Sequence, residues 1–387
     1  MTAQGAFGSA ADFERLHEGD PVLFASEACL IVRRPGMNCG LCRDACPAGV
    51  LTGSQWSIAI ERDGCVGCGL CAAACPTGAI SVEGCTPHPS KSASPAIVLE
   101  CRRVDAKDRD PDAIVVPCLG GITVPDLLDL GAGTNRTIVL KDHGWCATCP
   151  VAGCNEPWRT AFDEADTVLA AFDHAPAQTM VVETDELPVS RAQPVMAALR
   201  PDKHVGRRDF LKRLVGAVEP RDAVAESRRV VFGRGAVVPI KRRRVLDRLQ
   251  ALADIHQTEL PANLLPAIKI ADGCELNGIC GAVCPTAALR RVEQDGVALL
   301  EFDPVECIAC GECQRVCPSK ALSLWPHGDG SVRHGPVTLV ERRTAVCMTC
   351  GDNFIPVAAA QSCRSCDKTV NVMNEIASLR MEMRAAN

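Results

Sequence analysis

The cysteines of this chain are numerous and clustered. The 387-residue sequence contains 25 of them, in short runs separated by long stretches without cysteine such as residues 155–273. Disulfide-rich scaffolds are short secreted chains with dispersed cysteines, whereas repeated Cys-x2-Cys spacing in a long chain is typical of metal sites in a reducing compartment. The pattern therefore predicts several metal centres.

The rest of the composition indicates a folded protein of two or three domains. Apolar residues make up 47% of the chain and charged residues 23%, which is too apolar for a disordered chain. No run of 18 apolar residues occurs, and residues 1–20 carry four acidic residues and lack the apolar segment of a signal peptide. We therefore expect a cytoplasmic protein without a membrane span.

One cysteine module occurs twice, in residues 29–85 and 271–326. Each copy has a degenerate cysteine motif ending in Cys-Pro, then a helix-like stretch, a strand, a complete cysteine motif and a second strand. The complete motifs read Cys-x2-Cys-x2-Cys-x3-Cys-Pro and begin at Cys65 and Cys307. Three thiolates at this spacing suit one face of a cubane cluster.

Both copies resemble bacterial dicluster ferredoxins. The resemblance implies small α+β domains with two clusters each, an electron-carrier role, and ligand sets that cross over, since the fourth cysteine of a motif ligates the other cluster. In the first copy the resemblance assigns one [4Fe-4S] cluster to Cys46, Cys65, Cys68 and Cys71. It assigns the other cluster to Cys39, Cys42, Cys75 and a fourth ligand. The family's first cysteine would be that ligand, but Gly36 stands at its position, so a replacement is needed. The replacement is Cys29, unless Cys29 is a buried structural thiol that begins a strand over residues 29–32.

In the second copy the resemblance assigns a complete [4Fe-4S] set to Cys284, Cys307, Cys310 and Cys313. The partner cluster has Cys274, Cys280 and Cys317, with Asn277 in place of the remaining cysteine. Asparagine is a poor iron ligand compared with thiolate, and ferredoxins that lack this cysteine tend to lose the uncoordinated iron. We therefore predict a [3Fe-4S] cluster, or a labile [4Fe-4S] cluster completed by water or Asn277. A zinc site would not need the third evenly spaced cysteine.

Residues 96–190 alternate between strand and helix patterns. Strands are predicted at residues 97–101, 113–118, 137–142 and 179–184, and helices at residues 124–130 and 158–172. This alternation predicts a small α/β domain with a parallel sheet, whose loops at the C-terminal ends of the strands are the usual place for a site. Those loops carry Cys101, Cys118, Cys146, Cys149 and Cys154.

Three alternatives compete for these five cysteines. Residues 116–121 (VPCLGG) and the later cysteine-rich turn resemble the [2Fe-2S] delta subunit that links hydrogenases to heterodisulfide reductase, although Gly121 stands where that family would have a basic residue. Residues 144–150 (GWCATCP) resemble the thioredoxin active-site turn, which would make Cys146 the nucleophile of a Cys146/Cys149 dithiol. Zinc binding or structural thiols are the third alternative.

Two further cysteine pairs near the C-terminus form knuckles. Cys347-x2-Cys350 and Cys363-x2-Cys366 are separated by 12 residues, which indicates a tetrahedral four-thiolate site. A zinc-ribbon-like knuckle is favoured over a rubredoxin-like iron site, and a structural role is expected because so short a segment buries little apolar surface. Cys85 has no partner at a metal-site spacing and is predicted to be a free thiol.

The overall expectation is an α+β fold in six parts. They are an N-terminal extension (1–28), a dicluster ferredoxin module (29–95), a small α/β cysteine-rich domain (96–190), a basic helical connector (191–267), a second dicluster module (268–330), and the four-cysteine knuckle with a C-terminal helix (331–387). Residues 203–248 hold 14 Lys/Arg against five Asp/Glu, which indicates solvated surface helices or a docking patch for an acidic partner. With few aromatic residues beside these cations, nucleic-acid binding is not expected.

The function implied by the resemblance is electron transfer between a redox enzyme and a soluble carrier. The chain would be a non-catalytic subunit of an oxidoreductase such as formate dehydrogenase, hydrogenase or a heterodisulfide-reductase-like complex. No Gly-rich nucleotide loop occurs, so a flavin or NAD site is expected on another subunit. The alternatives are a redox maturation or thiol-transfer factor that uses the Cys146/Cys149 dithiol, and an iron-sulfur redox sensor.

Overall fold

A computed structural model describes most of the chain: residues 13–15, 21–34, 36–54, 57–60, 64–88, 94–131, 136–152, 156–172, 180–194, 236–261, 264–328, 335–356 and 360–385. The chain divides into two compact units, Met1–Pro261 and Ala262–Asn387. The described helices include none with the length and apolar character needed to cross a membrane.

The first unit begins with the first dicluster module. Its strands are β1 (Glu14–Arg15), β2 (Val22–Phe24), β3 (Leu51–Ser54), β4 (Ser57–Ile60) and β5 (Ile80–Val82), and its helices are α1 (Leu30–Arg33), α2 (Leu41–Asp44) and α3 (Leu70–Ala74). Strand β2 pairs antiparallel with β1 and β5, so the strands that precede and follow the cysteine loops lie side by side. Strands β3 and β4 form a hairpin.

The middle domain has the predicted strand-helix alternation. Its strands are β6 (Ala96–Cys101), β7 (Ile114–Val116), β8 (Thr137–Asp142) and β9 (Met180–Thr184), and its helices are α4 (Val124–Gly131) and α5 (Arg159–Ala170). The sheet order is β7-β6-β8-β9, and every pairing is parallel, as predicted. Because parallel strands share one C-terminal edge, the loops after β6, β7 and β8 meet there.

Helix α6 (Ile240–His256) carries part of the basic connector and packs on α4 within the first unit. Arg244 donates to Asp126 at 3.0 Å and to Asp129 at 2.8 Å, and Arg248 also binds Asp129. The Lys241 ammonium donates to the Ala73 carbonyl at 3.1 Å. These cations therefore attach the helix to its own unit, whereas residues 195–235 of the connector lie outside the described residues.

The second unit repeats the topology of the first module. It comprises strands β10 (Ala267–Ile270), β11 (Leu289–Gln294), β12 (Val297–Phe302), β13 (Leu322–Trp325), β14 (Val337–Arg343), β15 (Ala345–Val346) and β16 (Asn353–Phe354), and helices α7 (Ile279–Val283), α8 (Glu312–Arg315) and α9 (Arg364–Ala385). Strand β10 pairs with β13 as β2 does with β5, and β11 and β12 form the hairpin that corresponds to β3 and β4. Strand β14 adds to this hairpin.

Two local predictions were wrong. Residues 29–32 do not form a strand: Leu30–Arg33 is a helix, and the Cys29 carbonyl accepts the Arg33 N–H at 3.0 Å. A short buried apolar run carries no period, so its pattern does not separate helix from strand. The stretches after the first Cys-Pro of each module are also not helical; they lead into strands β3 and β11, and the short helices α2 and α7 come before the Cys-Pro.

Candidate metal centres

Short helices follow the cysteine loops and orient the thiols. A glycine with positive φ precedes three of them: Gly69 (84°) before α3, Gly278 (79°) before α7 and Gly311 (75°) before α8. Residues with a Cβ rarely adopt this left-handed conformation, and glycine adopts it at little cost. The sharp change of direction lets the thiols on either side of the glycine face the same cavity.

Both complete cysteine sets are brought together in the structure. The first set, Cys46, Cys65, Cys68 and Cys71, lines one pocket whose other walls include Val22, Val50, Leu51, Ile60 and Val82. The second set, Cys284, Cys307, Cys310 and Cys313, lines one pocket with Ile268, Leu289, Phe302 and Leu324. Each cavity therefore combines four thiols with apolar walls.

The incomplete set of the first module contains Cys29. Burial, with a smaller contribution from the neighbouring Cys75 and Cys42, raises the pKa of the Cys29 thiol to about 12. Cys75 likewise raises the pKa of both Cys39 and Cys42. These four thiols therefore lie close together, whereas a side chain at Gly36 would meet no atom within 4 Å.

The incomplete set of the second module has three thiols. Cys274, Cys280 and Cys317 line one pocket together with Asn277. The Asn277 Oδ1 accepts the backbone N–H of Ile279 at 3.1 Å, and Asn277 itself is exposed. This cavity therefore offers three thiols and an open side toward solvent.

The chemistry of these donor sets fits iron-sulfur clusters. Burial raises the pKa of Cys71, and it raises that of Cys313 to about 12, so these thiols ionise only if a cation offsets the charge. Bound iron would supply that charge. Backbone N–H groups point at several sulfurs: Ala79 donates to Cys75 at 3.2 Å, and Leu289 donates to Cys284 at 3.4 Å.

The two modules differ in how much they shield these sulfurs. In the first module five of the eight cysteines assigned as ligands are buried: Cys29, Cys42, Cys68, Cys71 and Cys75. In the second module none of the seven is buried, and Cys310 is exposed. Solvent exposure is one determinant of cluster potential. The two copies of one module therefore hold their thiols in unequal environments.

Three of the cysteine sulfurs each have a side-chain hydroxyl group beside them, which the sequence analysis did not predict. The Oγ1 of Thr77 is 3.6 Å from the Cys75 sulfur, that of Thr286 is 3.9 Å from Cys284, and the Ser319 hydroxyl is 3.7 Å from Cys317. Each hydroxyl is two residues after its cysteine, so the repeated Cys-Pro-Thr/Ser pattern was the available signal. A ligating thiolate only accepts, so the hydroxyl would donate. The remaining Cys-Pro pair of the two modules, Cys46-Pro47, is followed by Ala48 and therefore has no hydroxyl at this position.

Four of the five cysteines of the middle domain meet at the C-terminal edge of its sheet. Cys101 ends β6, Cys118 follows β7, and after β8 Cys146 begins a 3-10 helix that Cys149 follows. Burial raises the pKa of Cys118, and Cys101 and Cys146 are close enough to add to the effect. Burial also raises the pKa of Cys101, and the nearby Cys149 adds to this increase. Cys154 lies outside the described residues.

The local structure around Cys146 differs from the thioredoxin turn. A lowered thiol pKa in that turn depends on a helix N-terminus at the first cysteine. Here Cys146 begins a three-residue 3-10 helix that ends before Cys149, and the next α-helix begins only at Arg159. The helix dipole that would activate Cys146 is therefore missing from the described residues of this turn.

The C-terminal cysteines form a tighter group. Among the described residues, only Cys347, Cys350, Cys363 and Cys366 form a ligand group whose donor atoms all lie within 4.8 Å of one another. The Cys350 and Cys363 sulfurs are 3.8 Å apart, and Zn–S bonds of about 2.3 Å in a tetrahedron place sulfurs at about this separation. Backbone N–H groups of Cys350 and Cys363 lower the pKa of Cys347 to about 6. This group suits one ion, whereas the wider spacing of the other sets suits clusters.

Comparison with known families agrees with the duplication. The family described as 4Fe-4S dicluster domain matches residues 37–79 and 272–321. These segments contain the cysteine loops of both modules, except for Cys29. No curated protein matches the chain significantly.

Proposed function

We propose that this chain, which carries two 4Fe-4S dicluster domains, is a multi-cluster electron-transfer protein and a non-catalytic subunit or partner of a larger cytoplasmic oxidoreductase. The observation that carries the proposal is that each complete cysteine set lines one pocket with apolar walls. A purely structural role for the thiols does not require four of them to face one cavity in both copies.

The proposed ligand sets follow the cavities. One [4Fe-4S] cluster is held by Cys46, Cys65, Cys68 and Cys71, a second by Cys29, Cys39, Cys42 and Cys75, and a third by Cys284, Cys307, Cys310 and Cys313. Cys274, Cys280 and Cys317 hold a [3Fe-4S] cluster, because the Asn277 Oδ1 already accepts the backbone N–H of Ile279. When bound, such clusters accept and release single electrons at potentials set by ligation, hydrogen bonds and exposure.

We assign a [2Fe-2S] centre to Cys101, Cys118, Cys146 and Cys149, and zinc to the C-terminal four-cysteine group. The mutual influence of the middle thiols on their pKa values supports the first assignment, and the short sulfur separation supports the second.

The variant Cys118→Ser tests the middle centre. We expect it to lose two iron atoms per chain and the corresponding part of the visible spectrum, because the two-iron centre lacks its fourth thiolate. Val115→Ala, at an exposed residue of the preceding strand β7, is the control and should keep both. Unchanged iron in Cys118→Ser would instead support a Cys146/Cys149 dithiol, which does not use Cys118.

Isolation of the complex from native cells tests the partner. Formate dehydrogenase, hydrogenase and heterodisulfide-reductase-like complexes are the proposed classes, on the basis of the resemblance in the cysteine motifs. We expect stoichiometric co-purification with a catalytic oxidoreductase. Transient contact with an immature apoenzyme would contradict this and support a maturation factor.

A further inference from the structure

The first dicluster module and the middle domain touch at two cysteines. Cys68 and Cys118 are members of one buried apolar cluster with Val151, and Val66, Leu70 and Cys149 pack against it. Cys68 belongs to the complete set of the module, and Cys118 belongs to the middle set, so a ligand of one centre lies against a ligand of the other.

Three glycines make this approach possible. A Cβ on Gly121 would lie 2.2 Å from the Cys68 carbonyl oxygen, and one on Gly120 would lie 2.8 Å from the Leu70 side chain. A Cβ on Gly69 would lie 2.9 Å from the Gly121 Cα and 2.5 Å from the Cys85 sulfur. Distances below 3.0 Å are not tolerated between a Cβ and backbone atoms. The two cysteine loops are therefore as close as their backbones permit.

Two hydrogen bonds whose donors are not proposed metal ligands also hold this contact in place. Arg102, the residue after Cys101, donates to the Val66 carbonyl inside the module's cysteine loop. The Cys85 thiol donates to the Gly67 carbonyl of the same loop at 3.7 Å. Cys85, which has no metal-site spacing in the sequence, thus supports the loop that carries Cys65 and Cys68.

We propose that the Cys68–Cys118 contact is the electron-transfer junction between the first dicluster module and the middle domain, with Gly69, Gly120 and Gly121 as positioning residues that set its length. The proposal rests on the proposed two-iron centre at Cys118. One electron passes between the centre held by Cys46, Cys65, Cys68 and Cys71 and the centre held by Cys118; no bond forms or breaks. The Cys29 set contributes no residue to this junction and is the distal centre of the module.

Electron paramagnetic resonance of the full-length holoprotein tests the junction without any variant. Dithionite, a one-electron reductant, is added stepwise, and the microwave power that half-saturates the signal of the middle centre is measured at each step. We expect this power to rise several-fold when the neighbouring four-iron centre becomes reduced and paramagnetic, because nearby spins relax each other. Relaxation that does not change at any step would overturn the proposal.

The variant Gly121→Ala tests the positioning role. Its added methyl group must push the Cys68 and Cys118 loops apart, so the half-saturating power should fall several-fold and intramolecular transfer after pulse reduction should slow several-fold. Gly273→Ala is the matched control, since a methyl group there meets no atom within 4 Å, and it should match the wild type. Gly120→Ala, which meets side chains only, covers the case in which Gly121→Ala does not fold. Wild-type behaviour of the folded variants would contradict the positioning role.

Failure of the junction is distinguishable from failure of the proposed function. If the wild-type protein lacks a two-iron signal, and Cys118→Ser loses no iron, then the middle centre itself is absent and both proposals fail. If the signal is present but its relaxation is independent of the neighbouring centre, only the junction fails.

Discussion

The side-chain oxygen of Asn277 accepts the backbone N–H of Ile279 at 3.1 Å, in the loop that would otherwise present a fourth thiolate to the cavity of Cys274, Cys280 and Cys317. Asn277 thus forms a local turn at the start of α7. Its amide nitrogen is a donor and not a ligand. The loop therefore keeps its shape while one corner of the cavity lacks a ligand.

Restoring the missing thiolate should change the nuclearity of this centre. In Asn277→Cys we expect the three-iron signal of the oxidised protein to disappear and the iron content to rise by one atom per chain, because a fourth thiolate retains the labile iron. The control Asn277→Ala removes the turn hydrogen bond without adding a thiolate and should keep the three-iron signal. A wild-type protein without that signal would contradict the assignment.

A substitution can distinguish a ligand role for Cys29 from that of a buried structural thiol. In Cys29→Ser we expect one four-iron centre to lose iron and to show a three-iron signal on oxidation, since Cys39, Cys42 and Cys75 remain. Cys85→Ser is the matched control, because Cys85 is a buried thiol of the same core but faces the other cysteine loop. Equal iron contents in the two variants would show that Cys29 is a structural thiol.

The hydroxyl beside Cys75 should tune a cluster potential. Thr77 is 1% exposed, and its donated hydrogen bond stabilises the more negative, reduced state. Thr77→Val should therefore lower the potential of one centre by a few tens of millivolts, since about 1 kcal/mol corresponds to roughly 40 mV for one electron. Ala48→Thr should raise the potential of the other centre of the module. Potentiometric titration measures both shifts, and identical potentials in all three proteins would contradict the role of the hydroxyl.

The zinc assignment predicts a metal content independent of iron. We expect one zinc ion per chain by elemental analysis, and its loss in Cys366→Ser because three thiolates bind zinc more weakly. Met348→Ser, an exposed substitution within the same knuckle, should retain it. Stoichiometric iron that disappears in Cys366→Ser would show instead a single-iron site.

The sequence predicted what local patterns encode. Strand β8 has the predicted bounds, Thr137–Asp142, because a buried parallel strand reads as an apolar run between turn residues. The helix Leu30–Arg33 was not predicted, because the apolar run over residues 29–32 is too short to show a helical or strand period. The contact of Cys68 with Cys118 could not be predicted, because it joins two domains, and the role of the glycines at positions 69, 120 and 121 follows only from the tertiary fold. Similarly, the charge of α6 was visible, but its ion pairs with Asp126 and Asp129 depend on the tertiary fold.

The most direct test of the central account is combined metal, sulfide and redox analysis of the anaerobically isolated full-length protein. The account predicts iron and acid-labile sulfide for three four-iron centres, one three-iron centre and one two-iron centre, one zinc ion, and reduction in separate one-electron steps followed by electron paramagnetic resonance. Iron without acid-labile sulfide, or zinc alone in the two dicluster modules, would contradict it.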